Sequence, residues 1–173
     1  VCHGPAALIN VTLDNGEMLL TNKKISGFTN AEELTLIPDA KDIFPFLLED
    51  KLIEQGAKFQ PGISYLEQVS QDGKIITGQN PWSVWRMAEM VVLTIGYESK
   101  PRIRTSEEYA IDLLIAYKTQ GYDNALEHLR AQPHAIQKIQ LVMHGVMAFM
   151  QLELTTGIDI LRLANELKNL TKD

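Results

Sequence analysis

Residues 99–106 divide this chain of 173 residues into two stretches that follow different rules. They carry Lys100, Pro101, Arg102 and Arg104 and read as a linker. Before them, residues 1–98 switch between short apolar runs and turn signals, the pattern of a mixed α/β segment. After them, residues 107–173 place apolar side chains at helical spacing, and no proline follows Pro133. The chain is therefore expected to be an α/β portion followed by an all-helical C-terminal extension.

Within the first stretch, residues 6–13 read as a short helix broken at Asp14-Asn15-Gly16, and residues 24–28 as a brief strand. Phe44, Leu47, Leu48, Leu52 and Ile53, with acids between them, predict a helix over residues 44–55 that stops at Gly56. Two apolar runs, 65–69 and 74–77, flank Asp72-Gly73 and predict a β-hairpin. Asn80-Pro81 opens a helix that runs on through Trp85, Val91, Val92 and Ile95. In the extension, helices are expected over 107–119, from an Asp123 cap through Leu129, over 134–153 and over 157–170. The face bearing Met143, Met147 and Met150 is assigned to the core of a helical hairpin in preference to a promiscuous binding surface.

Charge and cysteine usage exclude several classes. With 16 Lys+Arg against 22 Asp+Glu the net charge is −6, and no basic cluster provides a footprint for nucleic acid. One cysteine excludes an internal disulfide framework and points to a reducing, cytoplasmic setting. The most apolar stretch, 139–149, is interrupted by Gln140, His144 and Gly145 and is too short to span a membrane. His128, His134 and His144 stand at no ligand-like spacing with cysteine or acids, so neither a metal site nor a cofactor is expected.

Cys2-His3 is the pair with chemistry in it. The thiolate is the reactive form of cysteine, and a free thiol has a pKa of about 8.5. An elbow that places the thiol at a helix N-terminus lowers that value through the dipole and the free N–H groups, an environment expected to depend on the strand that leads into Cys2. A neighbouring imidazole takes the proton, and a carboxylate behind it orients the ring. The backbone N–H of His3 is placed to donate to an oxyanion. Small residues follow at Gly4, Pro5, Ala6 and Ala7 and allow close approach of substrate.

Four blocks extend this pattern: Cys2-His3-Gly4-Pro5-Ala6-Ala7-Leu8, Gly27-Phe28-Thr29-Asn30-Ala31-Glu32-Glu33, Pro45 to Leu52, and Asp72 to Pro81. In this order they resemble the ThiJ/PfpI superfamily (the DJ family), in particular its branch of heat-inducible chaperones and glyoxalase III proteins. The resemblance implies that residues 1–98 are the C-terminal part of a flavodoxin-like, glutamine-amidotransferase-like three-layer sandwich, starting at the nucleophile elbow. It makes Cys2 the nucleophile, His3 its acid/base partner and Glu33 the third member of the triad. Glu32, one step off that register, is expected to be a solvated or capping carboxylate. The implied activity is cofactor-free conversion of methylglyoxal to lactate, or deglycation. A holdase chaperone with an idle site, and an amidase or peptidase using the same cysteine, are the alternatives. The expected partners are a small aldehyde or ketoaldehyde and a second copy in a homodimer.

Two departures from the family stand out. Trp82-Ser83-Val84-Trp85 replaces the small residues usual after Gln-Asn-Pro and is expected to pack against the extension. The strands that precede the elbow in the family, with an acidic residue and half of the oxyanion hole, are not among these residues. A preceding N-terminal half of the same protein is therefore expected to complete the parallel sheet and to hold the strained turn at Cys2.

Overall fold

The structure is a computed structural model that describes residues 1–172. It divides into two compact units, Val1–Lys100 and the residues from Pro101 onward.

The first unit opens with a 3-10 turn at Gly4–Leu8, followed by β1 (Lys24–Ile25), α1 (Asn30–Leu36), α2 (Ala40–Ile43) and α3 (Leu48–Glu54). Next come β2 (Lys58–Phe59), β3 (Val69–Asp72), β4 (Ile75–Gly78) and α4 (Val84–Thr94). Strands β1 and β2 pair in parallel, with Ile25 opposite Phe59. Parallel strands need a crossover, and the three helices α1 to α3 supply it. Strands β3 and β4 form an antiparallel hairpin in which Val69 faces Gly78. Its turn is Gly73-Lys74, with Gly73 at φ 59°, a left-handed position that glycine fills without strain. Buried hydroxyls tie the hairpin to β1. Ser26 donates its N–H to Thr77 Oγ1 at 2.8 Å, and the Ser26 and Ser70 hydroxyls lie 2.6 Å apart. Leu20, Ile25, Leu48, Leu52 and Leu66 fill the core beneath.

Several elements are shorter than their periodicity predicts. The helix expected over 44–55 begins at Leu48, because Pro45 holds Phe44 extended (ψ 148°) and splits off α2. The helix expected over 6–13 is the 3-10 turn Gly4–Leu8, which ends where Ile9 turns extended and Asn10 takes φ 61°. The strand expected over 24–28 stops after Ile25, since the N–H of Ser26 goes to a side chain and not to a ladder. The first hairpin strand starts at Val69 and not at 65, where Tyr65 has φ 60°.

The second unit consists of α5 (Ser106–Gln120), α6 (Tyr122–Ala131), α7 (Lys138–Met150) and α8 (Leu154–Leu170). Ile111, Leu113, Leu114, Leu129, Leu141, Leu163 and Leu167 form its core. Thr105 caps α5 in a reciprocal box with Glu108, and Arg102 grips the same carboxylate through both terminal nitrogens. Arg104 reaches Asp112 at 2.7 Å, so the basic segment read as a linker is tied to the start of α5. Asp123 does not cap α6: that helix starts at Tyr122 after Gly121, and Asp123 lies in its first turn. Helix α7 begins at Lys138, because a 3-10 turn at Pro133–Ala135 and an extended Ile136 occupy the start of the predicted span.

The methionine face is a clear correction. A Cβ on Gly145 would come within 2.9 Å of Leu161, and one on Gly157 within 2.8 Å of Phe149. These glycines let α7 and α8 approach closely, and they select Leu141, His144, Gly145 and Ala148 as the buried face of α7. Met143 and Met150 are left 47% and 53% exposed, outside the core to which the spacing assigned them.

Burial, with the charge of Lys118 adding to it, lowers the His144 ring from its ordinary 6.5 to about 4. Between those values the unfolded chain binds a proton that the folded unit does not. The stability His144 contributes is full above pH 6.5 and is lost as the pH falls through about 4. Urea unfolding between pH 7 and pH 4 should show a loss of roughly 3 kcal/mol in the native protein that is absent in His144→Gln. Equal pH slopes for the two proteins would contradict this.

Candidate functional site

Cys2 sits at φ 57°, a conformation that costs a non-glycine residue energy and persists only where neighbours impose it. Two backbone bonds do so. The N–H of Cys2 donates to the Gly78 carbonyl at 2.9 Å, and the Cys2 carbonyl accepts from the Phe28 N–H at 3.1 Å. Within this unit the turn is thus held by the end of β4 and by the segment after β1, which the sequence reading did not foresee. Gly78 makes the approach possible, since a Cβ there would lie 2.7 Å from Ser83 Cβ and 2.9 Å from Val1 Cγ2.

From this seat the Cys2 sulfur lies 3.4 Å from His3 Nδ1, and His3 Nε2 lies 2.5 Å from Glu33 Oε2. The His3 ring also rests against Phe28, with centroids 4.9 Å apart. Glu33 is buried in the first turn of α1, whose N-terminus Thr29 caps through the Glu32 N–H. The structure therefore brings together all three residues singled out from the sequence. With the proton on Nε2 directed at the carboxylate, the Nδ1 lone pair faces the thiol. A ring in that tautomer can accept a proton from the thiol.

The thiol is not acidic. Burial pushes the Cys2 pKa above its ordinary value. The His3 backbone N–H acts in the opposite direction, and the charges of Glu32 and Glu33 push it further up. The helix that follows Cys2 is a five-residue 3-10 turn, too short to develop the dipole invoked for it.

Of the two readings of Glu32, capping holds and solvation does not. It does cap α1, but it has no exposed surface. Its Oε2 accepts from Thr29 N and Oγ1 at 2.9 and 3.0 Å. Its Oε1 accepts from Tyr65 N, Gln79 Nε2 and Asn80 Nδ2 at 2.7, 3.0 and 2.9 Å. Tyr65, Gln79 and Asn80 were not singled out beforehand as site residues. The available signal was a Gln-Asn pair placed directly after a strand, both fully buried here. Trp82 and Trp85 stack on each other with centroids 6.2 Å apart. Among the described residues, no group of three histidines, cysteines or acids is placed to hold a metal ion.

Because Gly78 admits the backbone of Cys2, Gly78→Ala should cost about 1–3 kcal/mol of stability through overpacking. It should also speed alkylation of Cys2 by iodoacetamide as the seat opens. Denaturant unfolding and alkylation kinetics matching the native protein would refute the assignment.

No family model matches the chain. It is 35% identical over 96 residues to glyoxalase 3 of Candida albicans, a match covering 53% of this chain and 41% of that protein. It is 32% identical over 101 residues to a glutathione-independent glyoxalase of Schizosaccharomyces pombe, again covering 53% of this chain and 41% of the relative. Among solved structures, Rapid Encystment Protein 24 kDa of Francisella tularensis aligns with a TM-score of 0.50 at 42% identity, over 54% of this chain and 41% of that one. The chain spans about two fifths of the length of the curated relatives it matches. Over about half of its own length, the chain is homologous to the glyoxalase III-type proteins of the ThiJ/PfpI superfamily, and its fold is α/β followed by helices.

Proposed function

We propose that this protein is a cofactor-independent cysteine enzyme of the glyoxalase III type, which converts methylglyoxal and water to lactate. The observation that carries the reading is the run of contacts from Cys2 Sγ to His3 Nδ1 and from His3 Nε2 to Glu33 Oε2. The two glyoxalase relatives supply the substrate class.

The thiol is protonated at rest, so His3 acts as general base. Nδ1 takes the Cys2 proton as sulfur bonds to the aldehyde carbon, giving a hemithioacetal. Glu33 stabilises the imidazolium and keeps the ring facing the sulfur. The His3 backbone N–H donates to the oxygen that gains charge. The imidazolium returns that proton to the alkoxide oxygen. The neutral ring then moves the proton from the former aldehyde carbon to the neighbouring carbon while the hydroxyl proton passes to the second oxygen, which leaves a lactyl thioester. Water attacks that thioester, the sulfur–carbon bond breaks, and lactate departs with Cys2 restored as a thiol. This reading takes the second oxyanion donor from polypeptide beyond these residues. Deglycation would share the first step.

In the intact protein, Cys2→Ala should abolish methylglyoxal turnover, and Glu33→Gln should lower kcat on the order of 10³-fold or more, as loss of an orienting carboxylate does elsewhere. Lactate production unchanged in Cys2→Ala would overturn the proposal.

A second reading has its own observation. Ile139, Met143, Val146 and Met150 form an apolar stripe along α7, each between 47% and 54% exposed. A surface of this kind suits transient capture of unfolded chains. If it does so, the paired substitution Met143→Glu and Met150→Glu should abolish suppression of client aggregation while leaving methylglyoxal turnover intact. Undiminished suppression would exclude it.

A further inference from the structure

Glu32 holds more bonds than a helix cap needs. The Thr29 contacts alone complete the capping box of α1. The three donors on Oε1 come from two other segments, the stretch before β3 and the residues after β4. A fourth tie runs from the Tyr65 hydroxyl to the Glu32 main-chain oxygen at 2.5 Å.

These bonds close a ring around the site. Cys2 N–H is fixed on Gly78 O. Gly78 leads directly into Gln79 and Asn80, whose side-chain amides both end on Glu32. Glu32 leads directly into Glu33, whose carboxylate meets His3, the neighbour of Cys2. One buried carboxylate therefore joins the segment that seats the nucleophile to the helix that presents its orienting acid. We propose that Glu32 is a positioning residue for the Cys2–His3–Glu33 site, setting the spacing between the Cys2 seat and the Glu33 carboxylate. The inference rests on the function proposed above.

Its buried charge also reaches the sulfur, where it opposes thiolate formation. That gives a readout a merely structural cap would not move. In the intact protein, Glu32→Gln keeps the shape of the side chain but removes the charge and one acceptor. Its kcat for methylglyoxal should fall on the order of 10²-fold with KM little changed, as misplacement of reacting groups by about 1 Å does. The pH profile of Cys2 alkylation by iodoacetamide should move to lower pH. Glu32→Asp keeps the charge but shortens the reach. It should leave the alkylation profile in place and still lower kcat by about tenfold.

Native kcat in Glu32→Gln overturns the inference. So does a kcat loss no larger than the loss of folded protein by circular dichroism, with the alkylation profile unmoved. If Glu32→Gln does not fold, Glu32→Asp decides, and native kcat there is a refutation. Absence of methylglyoxal turnover in the native protein would defeat the proposed function. An unmoved alkylation profile in Glu32→Gln would then overturn the inference separately.

Discussion

Burying a carboxylate costs several kcal/mol unless donors replace the water it loses. Glu32 meets that condition with five hydrogen bonds and no exposed surface. The energetics are asymmetric: satisfied, such a group fixes a unique arrangement, and missing one partner it destabilises sharply. The start of α1, the left-handed Tyr65 and the residues after β4 therefore adopt positions that all serve the same two oxygens. The short strands β1 and β2 have little ladder to define their neighbours. Side-chain bonds such as Ser26 to Thr77 and Ser70 take over that task.

The site inherits both its order and its electrostatics from this arrangement. Gly78 admits Cys2 to the end of β4, and Phe28 holds its other side. The same acids that build the frame place negative charge near the thiol and help keep it protonated. In the proposed mechanism a resting thiol suits attack on an uncharged carbonyl, with the proton moving to His3 only as the bond to carbon forms. Under that proposal the frame suits a base-assisted attack better than a standing thiolate.

The helical unit follows a different constraint, steric and not electrostatic. Gly145 and Gly157 remove the side chains that would keep α7 and α8 apart. Once those surfaces meet, the orientation of α7 is settled. His144 is buried by it and loses basicity, while Met143 and Met150 face outward. Apolar spacing alone assigns the methionines to the core because it records hydrophobicity and not the depth of approach. The shortest path between two helix axes is set by the smallest residues, and those carry no hydrophobic signal.

The sequence by itself determined the features that depend on near neighbours. These are the α/β-to-helical change of pattern, the Asp72-Gly73 hairpin, the Asn80-Pro81 helix start, and the adjacency of Cys2 and His3, each encoded within a few residues. Thr29-Glu32 and Thr105-Glu108 were equally local, being helix-start boxes, and of these only the capping role of Glu32 was read from the chain. The place of Glu33 came from a resemblance of blocks and not from any periodicity. Only the tertiary structure decided that Glu32 is buried, that the thiol is pushed up rather than down, and which face of α7 is covered. Each of these depends on atoms brought together from separate segments, as with Gly145 and Leu161, 16 residues apart, or Glu32 and Asn80, 48 apart. Desolvation and close packing are properties of the assembled neighbourhood, and no local pattern of residue types carries them.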